Sequence, residues 1–221
     1  MTAEILTAEH VGFRYAGTPV LHNVNLRVTA ASMLAVTGPN GCGKSTLLHL
    51  LAGVEKPTEG RIRLGAATRV SLLPQRTNDI DALPLTVAES VRIGRFTPRR
   101  RLRRDDHVAV AEIMERLGIS HLARRRLREL SGGQRQRTLL AQALVQEAEV
   151  YILDEPSVAL DVRSRQHVHD LLAERVEGGA AVVLATHDLA DASLADRTLD
   201  LGRAGATPSA DGVLTSGHDR L

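Results

Sequence analysis

The sequence predicts an α/β fold with a mostly parallel sheet, an N-terminal antiparallel β element and an α-helical insertion. Three observations predict it. Short apolar strands alternate with amphipathic helices in the second half of the chain. A glycine-rich turn joins a strand to a helix near residue 40. A stretch of helical periodicity separates that turn from the later strands. Strands alternating with helices form parallel sheets covered by helices on both faces.

Each element follows from local pattern. Residues 9 to 28 alternate apolar and polar around Gly17-Thr18-Pro19, the pattern of a hairpin. Met33 to Val36 is a short buried strand that leads into the glycine-rich turn. Leu47 to Ala52 is an apolar helix, ended by Gly53 and Pro57. From about 76 to 130 the character changes. Leu83-Pro84-Leu85-Thr86 is a proline-bounded loop, followed by helical spacing at Val87, Val91 and Ile93. A second helix places Val108, Val110, Ile113, Met114 and Leu117 on one side and stops at Gly118. Alternation then resumes: helix from about Gly133 to Gln146, strand Val150 to Leu153, helix Ser164 to Val176, strand Ala181 to Ala185, and a further strand over Arg197 to Leu201. The expected organisation is one domain over 1–221. Residues 1–75 and 131–202 form its core, about 76–130 a helical subdomain, and 203–221 a loose polar tail.

Composition excludes several classes. The 221 residues are 43% hydrophobic and 24% charged, a globular balance in a chain long enough to bury a core. No apolar run approaches the roughly 18 residues of a membrane helix; the longest, Ala180 to Ala185, is far shorter. The start, MTAEILTAEH, lacks the pattern of a secretory signal. A single cysteine, Cys42, makes no internal disulfide and no cysteine metal cluster, which places the chain in a reducing cytoplasm. The net charge of +2 gives no field for nucleic acid, so no nucleic-acid partner is expected. Of the 28 basic residues only Lys44 and Lys56 are lysines.

Lys44 stands in the strongest signal. Gly38-Pro39-Asn40-Gly41-Cys42-Gly43-Lys44-Ser45-Thr46 fits G-x-x-x-x-G-K-[ST] between a strand and a helix, the context that gives the pattern meaning. Glycines let the backbone wrap closely and aim N–H groups inward, and the helix N-terminus adds partial positive charge. Lys44 brings a charge to the outer phosphates, the Ser45 hydroxyl ligates Mg²⁺, and Thr46 reaches a phosphate oxygen. The pattern resembles the core of P-loop nucleoside-triphosphatases. Cys42 reads as a small residue tolerated in the loop.

Val150 to Pro156 carries two acids, Asp154 and Glu155, at the carboxyl end of a buried strand, where open parallel sheets bind ligands. Strand alternation sends the two to opposite sides. Asp154 is assigned to the metal and Glu155 to the general base that activates water. Leu130-Ser131-Gly132-Gly133-Gln134 is a second anion site at a helix start. On a rigid domain it does not fold back on the first. A head-to-tail dimer, with each LSGGQ over the γ-phosphate held by the other chain, is the sensible geometry.

Together these motifs, in this order, make the chain resemble the ATP-binding subunits of ABC transporters, from about residue 5 to residue 201. The resemblance implies further roles. Tyr15 corresponds to the aromatic that stacks on adenine and Val20 to the apolar contact beside it. Gln75 corresponds to the glutamine that touches Mg²⁺ and the attacking water, and His187 to the histidine at the γ-phosphate. Asp161 corresponds to the acid that communicates between the two sites. Val158 departs from the family, which often has serine there, and this leaves the detail of cross-dimer coupling open.

The resemblance also implies ATP and Mg²⁺ as cofactors and a second protomer, expected to be another copy of this chain. It implies separate integral membrane permease subunits, an extracytoplasmic substrate-binding protein in the complex, and a peripheral place on the inner face of the cell membrane. Leu73-Pro74-Gln75-Arg76, Ile80-Asp81, Pro84-Leu85-Thr86-Val87 and Gly94-Arg95 look like the branch that imports zinc, manganese or iron chelates. Arg99 to Arg104 and Arg124 to Arg128 read as solvated basic faces. Export of another substrate and a non-transport role in cofactor assembly stand as alternatives. The absence of a heptad run between Lys44 and Ser131 argues against the chromosome and repair relatives.

Overall fold

The computed structural model describes residues 4–75, 84–97, 101–204 and 215–216. Arg76, Ile80, Asp81 and Leu83 of the expected pattern, Arg99 and Arg100, and residues 205–214 and 217–221 of the tail lie outside the described residues. The chain forms two compact units. The first comprises 1–74, 148–155 and 172–221, the second 75–147 and 156–171.

The first unit holds two sheets. In the antiparallel one, β1 (Glu4–Tyr15) lies between β2 (Thr18–Thr29) and β4 (Glu59–Leu64). The expected hairpin is β1–β2, closed by Tyr15 opposite Thr18. Its apolar positions, Leu6, Ala8, Val11 and Phe13 against Leu21, Val24, Leu26 and Val28, are buried. The register shifts between Ala8 and Val11, so the strict alternation slips there. The exposed side carries ion pairs such as Arg61–Glu9. At that exposure they contribute little to stability.

The second sheet has the order β5 (Val70–Leu73), β6 (Val150–Asp154), β7 (Ala181–Ala185), β3 (Met33–Thr37), β8 (Arg197–Asp200), β9 (Thr215–Ser216). All its pairings are parallel except β8–β9, which takes a short piece of the expected tail. Every residue of β6 and β7 is buried, which explains why both read as unbroken apolar runs. The helix α1 (Lys44–Leu51) follows β3 and packs Leu47, Leu48, Leu50 and Leu51 into the core shared with both sheets. The short helices α6 (Leu189–Ala192) and α7 (Leu201–Ala204) flank β8.

The second unit is helical. It contains α2 (Val87–Ile93), α3 (Arg104–Arg116), α4 (Gly132–Leu144) and the first part of α5 (Val162–Glu177). Thr86 and Glu89 form a reciprocal cap on α2, with the Glu89 carboxylate accepting from the Thr86 N–H at 2.8 Å. Val87 and Val91 are buried, but Ile93 is exposed, a correction to the expected apolar face. In α3, Val110, Ile113, Met114 and Leu117 form the buried stripe at three- and four-residue spacing, and Val108 lies off it, exposed. Arg95 ties the loop after α2 to α3, reaching the fully buried Asp106 at 2.9 Å and Glu147 at 2.7 Å. Arg124, Arg125, Arg126 and Arg128 are exposed, as their reading as a solvated face requires.

Candidate active site

β3 delivers the chain to the phosphate loop, and α1 starts immediately after it. Gly43 takes φ of +100° as the residue before the helix. A Cβ there would stand 2.7 Å from Leu21 Cδ2 and 3.2 Å from Val20 Cγ1. The loop therefore lies directly on β2, and Val20 is one of its neighbours. Lys44 is buried, and its ammonium donates back into its own loop, to the carbonyls of Gly38 at 2.8 Å and Pro39 at 3.1 Å. The N–H groups at the start of α1 meet no acidic side chain in the first turn, which keeps this end of the helix positive. Asn40 and Gly41 are exposed in the loop, and Cys42 is a free, partly exposed thiol. An open cleft of about 630 Å³ adjoins the loop and is lined by Thr37, Gly38, His187 and Asp188 among others.

β6 ends at Asp154, which is fully buried with neither carboxylate oxygen hydrogen-bonded. Burial pushes its carboxyl above the usual carboxylate range; the Ser45 hydroxyl pulls the other way and the Glu155 charge adds to the rise. A buried acid with free oxygens beside a serine hydroxyl is a donor set suited to a hard cation. Among the described residues no group of three or more His, Cys, Asp and Glu side chains is placed to hold a metal. A magnesium site here needs phosphate oxygens to complete it.

Glu155 corrects the sequence reading in detail. It does not continue the strand alternation, because it sits at φ of +52° just beyond β6. Its N–H donates to Ala185 O at 2.9 Å, the last residue of β7. This turn, not strand pleating, separates Glu155 from Asp154. The buried Glu155 carboxylate contacts His187 Nδ1 through Oε1 at 2.8 Å and Oε2 at 2.7 Å. His187 follows β7, and its ring is mostly exposed. Thr186 steadies the turn that carries it, its hydroxyl accepting from the Asp188 N–H at 3.0 Å.

Tyr15 stands at the end of β1, 47% exposed. Its hydroxyl donates to Glu55 Oε1 at 2.8 Å, and Phe13 meets its ring edge-on at 4.8 Å between centroids. Burial raises the phenol above its ordinary value, and the Glu55 hydrogen bond adds to the rise, while the Thr46 hydroxyl acts in the opposite direction.

The first unit thus brings together Tyr15, Val20, the loop from Asn40 to Thr46, Asp154, Glu155 and His187. Gln75, Ser131 to Gln134 and Asp161 belong to the second unit. There Gln75 is exposed. Ser131 caps α4, accepting from the Gln134 N–H at 3.3 Å while Gln134 Oε1 accepts from the Ser131 N–H at 3.1 Å. A Cβ on Gly133 would lie 2.7 Å from Ala159 O, whereas Gly132 faces open space. Asp161 caps α5 by accepting from the Ser164 N–H at 2.8 Å and its hydroxyl at 2.9 Å, and these bonds hold its carboxyl below the ordinary value.

Sequence reading missed two participants. Glu55 is 40 positions from Tyr15, with no local pattern joining them. Gln136 donates to Pro156 O at 3.1 Å, fixing the loop after the acidic pair to α4. Its place two residues after LSGGQ was the available signal.

A phosphate-loop helix wrapped by a parallel and an antiparallel sheet defines the class as an α/β nucleoside-triphosphatase domain. Residues 21–158 match the family described as ABC transporter, and the chain belongs to that family. It is 42% identical over 224 residues to the hemin import ATP-binding protein HmuV of Streptomyces coelicolor, covering 92% of this chain and 79% of that one. It is 38% identical over 201 residues to the zinc import ATP-binding protein ZnuC of Cereibacter sphaeroides, covering 90% and 79%. Among solved structures, a dimeric ATP-binding cassette in a post-hydrolysis state bound to ADP and Pi matches with a TM-score of 0.80 at 25% identity, covering 90% of this chain and 95% of that one. No helix among the described residues is long and apolar enough to cross a membrane.

Proposed function

We propose that this chain is the ATP-hydrolysing motor of an ABC importer, working as a head-to-tail dimer on separate membrane permease subunits. The observation that carries the reading is the Glu155–His187 pair, held in the same unit as the phosphate loop and the unpartnered Asp154. An acid-base partner next to a phosphate cradle serves hydrolysis and has no use in mere nucleotide storage.

In this reading Asn40 to Thr46 cradle the phosphates, and Lys44 leaves the Gly38 and Pro39 carbonyls for the outer phosphate oxygens. Tyr15 and Val20 receive the adenine. Glu155 accepts the proton of the attacking water as its oxygen bonds to the γ-phosphorus. The bond from that phosphorus to the bridging oxygen breaks, and ADP leaves with phosphate. His187 orients Glu155 and meets charge developing on the γ-phosphoryl group. Ser131 to Gln134 of the second protomer cover that group from the other side, and Asp161 lies in the loop that relays between the two sites. Ser45, Asp154 and Gln75 would hold Mg²⁺, which when bound neutralises charge on the phosphates.

Relatives named for zinc and for hemin import support a metal or metal-chelate cargo, while another is named for thiamine import. Such a motor needs a permease, an extracytoplasmic binding protein and a place on the cytoplasmic face of the membrane. The second protomer is another copy of this chain. The test is gentle solubilisation of membranes from the native host, with this chain tagged, and mass spectrometry of what co-purifies. A multi-spanning subunit with a metal-loaded binding protein is the expected result. A multi-spanning subunit alone would favour export, and purely soluble partners would overturn the transporter reading.

A further inference from the structure

Tyr15 is held by packing at one end of its ring and by polar neighbours, Glu55 and the Thr46 hydroxyl, at the other. Phe13, two residues earlier on the same strand, is buried in the core and meets the ring edge-on, with the planes 84° apart. That contact limits the ring's tilt at its base. The other end is fixed by the hydroxyl, which donates to Glu55 Oε1 at 2.8 Å. Glu55 lies in the turn that closes α1. The Val54 N–H donates to His49 O at 2.9 Å, and the Glu55 N–H points to the same carbonyl at 3.4 Å. The turn is therefore a rigid extension of the phosphate-loop helix. A tyrosine side chain with a free hydroxyl keeps two soft torsions; with both ends fixed, one ring face stays presented.

We infer that Glu55 is a positioning residue for nucleotide binding: it pins the Tyr15 hydroxyl and so preorganises the ring that receives the base. This rests on the reading of Tyr15 as the base platform. Two observations favour orientation over stability. The pair is exposed, so the hydrogen bond adds little to folding. The bond also joins β1 to the turn at the far end of the helix that begins in the phosphate loop. It ties the base platform to the same helix whose other end carries the phosphate cradle, and a base-and-triphosphate ligand must span the two. Preorganisation of this kind raises affinity by removing the ordering cost from the binding step. The phenol stays a donor throughout the neutral range, since its proton is held more tightly than in free tyrosine.

The test measures affinity for ATP and for inorganic tripolyphosphate in the full chain, for Tyr15→Ala, Tyr15→Phe, Glu55→Ala, Glu55→Gln and the Tyr15→Phe/Glu55→Ala double variant. Tripolyphosphate has the phosphates and no base, so it reports on the loop and on folding alone. Tyr15→Phe and Glu55→Ala are expected to weaken ATP by roughly three- to tenfold each, the loss of one hydrogen bond. The double variant is expected to be no weaker than either single one. Glu55→Gln keeps an acceptor and restores ATP affinity. Tripolyphosphate affinity stays unchanged throughout.

Three outcomes would overturn the inference while Tyr15→Ala still weakens ATP. They are full ATP affinity in Glu55→Ala, additive losses in the double variant, and equal losses for ATP and tripolyphosphate. ATP affinity unaffected by Tyr15→Ala would instead overturn the reading of Tyr15 itself.

Discussion

A single nitrogen, Nδ1 of His187, lies 2.8 Å from one oxygen of Glu155 and 2.7 Å from the other. The carboxylate is buried and its backbone left-handed, so the histidine meets an acid already drawn away from solvent. His187→Ala is expected to lower the ATP turnover number by about 10²–10³-fold, the effect of losing one preorganised donor at a developing charge. ATP affinity should change by less than about threefold, since the proposed site gives ground-state binding to the loop and Tyr15. Steady-state turnover with equilibrium ATP binding checks both. Equal losses in the two would place His187 in binding instead.

Asp154 is buried with both oxygens unsatisfied. An unpaired buried acid destabilises the fold unless a cation meets it. Asp154→Asn removes that acid, so the nucleotide-free variant should melt roughly 2–4 °C higher than the parent. It should also lose the extra stabilisation that Mg²⁺ adds to ATP in the parent. Thermal melts with ATP alone, with Mg-ATP and with neither decide this. A variant that melts lower but still responds to Mg²⁺ would remove Asp154 from the cation site.

Gly132 and Gly133 are neighbours in LSGGQ with different surroundings. A Cβ at Gly133 falls 2.7 Å from Ala159 O, and one at Gly132 meets nothing within 4 Å. Ala159 itself sits at φ of +62°, so its loop has little freedom to give way. Gly133→Ala should destabilise the chain by about 1–3 kcal/mol, as overpacking does. Gly132→Ala should be within about 0.5 kcal/mol of the parent. Urea unfolding of the two variants separates them, and equal stabilities would contradict the close approach to Ala159.

Glu149 accepts from the Arg69 N–H at 2.7 Å and from its guanidinium at 2.8 Å, at the edge where β5 and β6 begin. The Arg69 side chain, then its N–H, lowers the Glu149 pKa from 4.5. A depressed acid stabilises the fold above its unfolded value, and that contribution fades as pH falls through the folded value. Glu149→Gln should therefore be less stable at pH 7, by no more than about 1 kcal/mol at this exposure. The two stabilities should converge below pH 4.5. A constant difference across that range would assign the loss to geometry, not charge.

How much of this was legible in the sequence depends on the range of the interaction. Where one element carries its own signal, reading succeeded. Ala181–Ala185 is a strand with the expected ends, and the Gly38–Thr46 pattern sits between β3 and α1 as its spacing required. Reading failed where neighbours decide. β4 sets only Ile62 and Leu64 among charged residues and β5 is only four residues long, so neither stands out, and their places are set by pairing with β1 and β6. Val108 and Ile93 look like core residues in isolation, yet three- and four-residue spacing puts the stripe elsewhere. The left-handed turn at Glu155 left no mark on composition, because a glutamate is an unusual occupant of that region. Glu55 was invisible for a plainer reason: its bond to Tyr15 exists only once β1 and the turn after α1 have packed.

The central claim is a cycle in which ATP joins two copies of this chain and Glu155 releases them by hydrolysis. The most direct measurement is the molar mass of Glu155→Gln in saturating Mg-ATP, by light scattering on a sizing column. The variant keeps the shape and size of the side chain and loses the base, so turnover should fall by about 10²–10⁴-fold. The predicted result is a dimer that reverts to monomer when nucleotide is removed. A monomer at saturating Mg-ATP, with ATP demonstrably bound, would contradict the account.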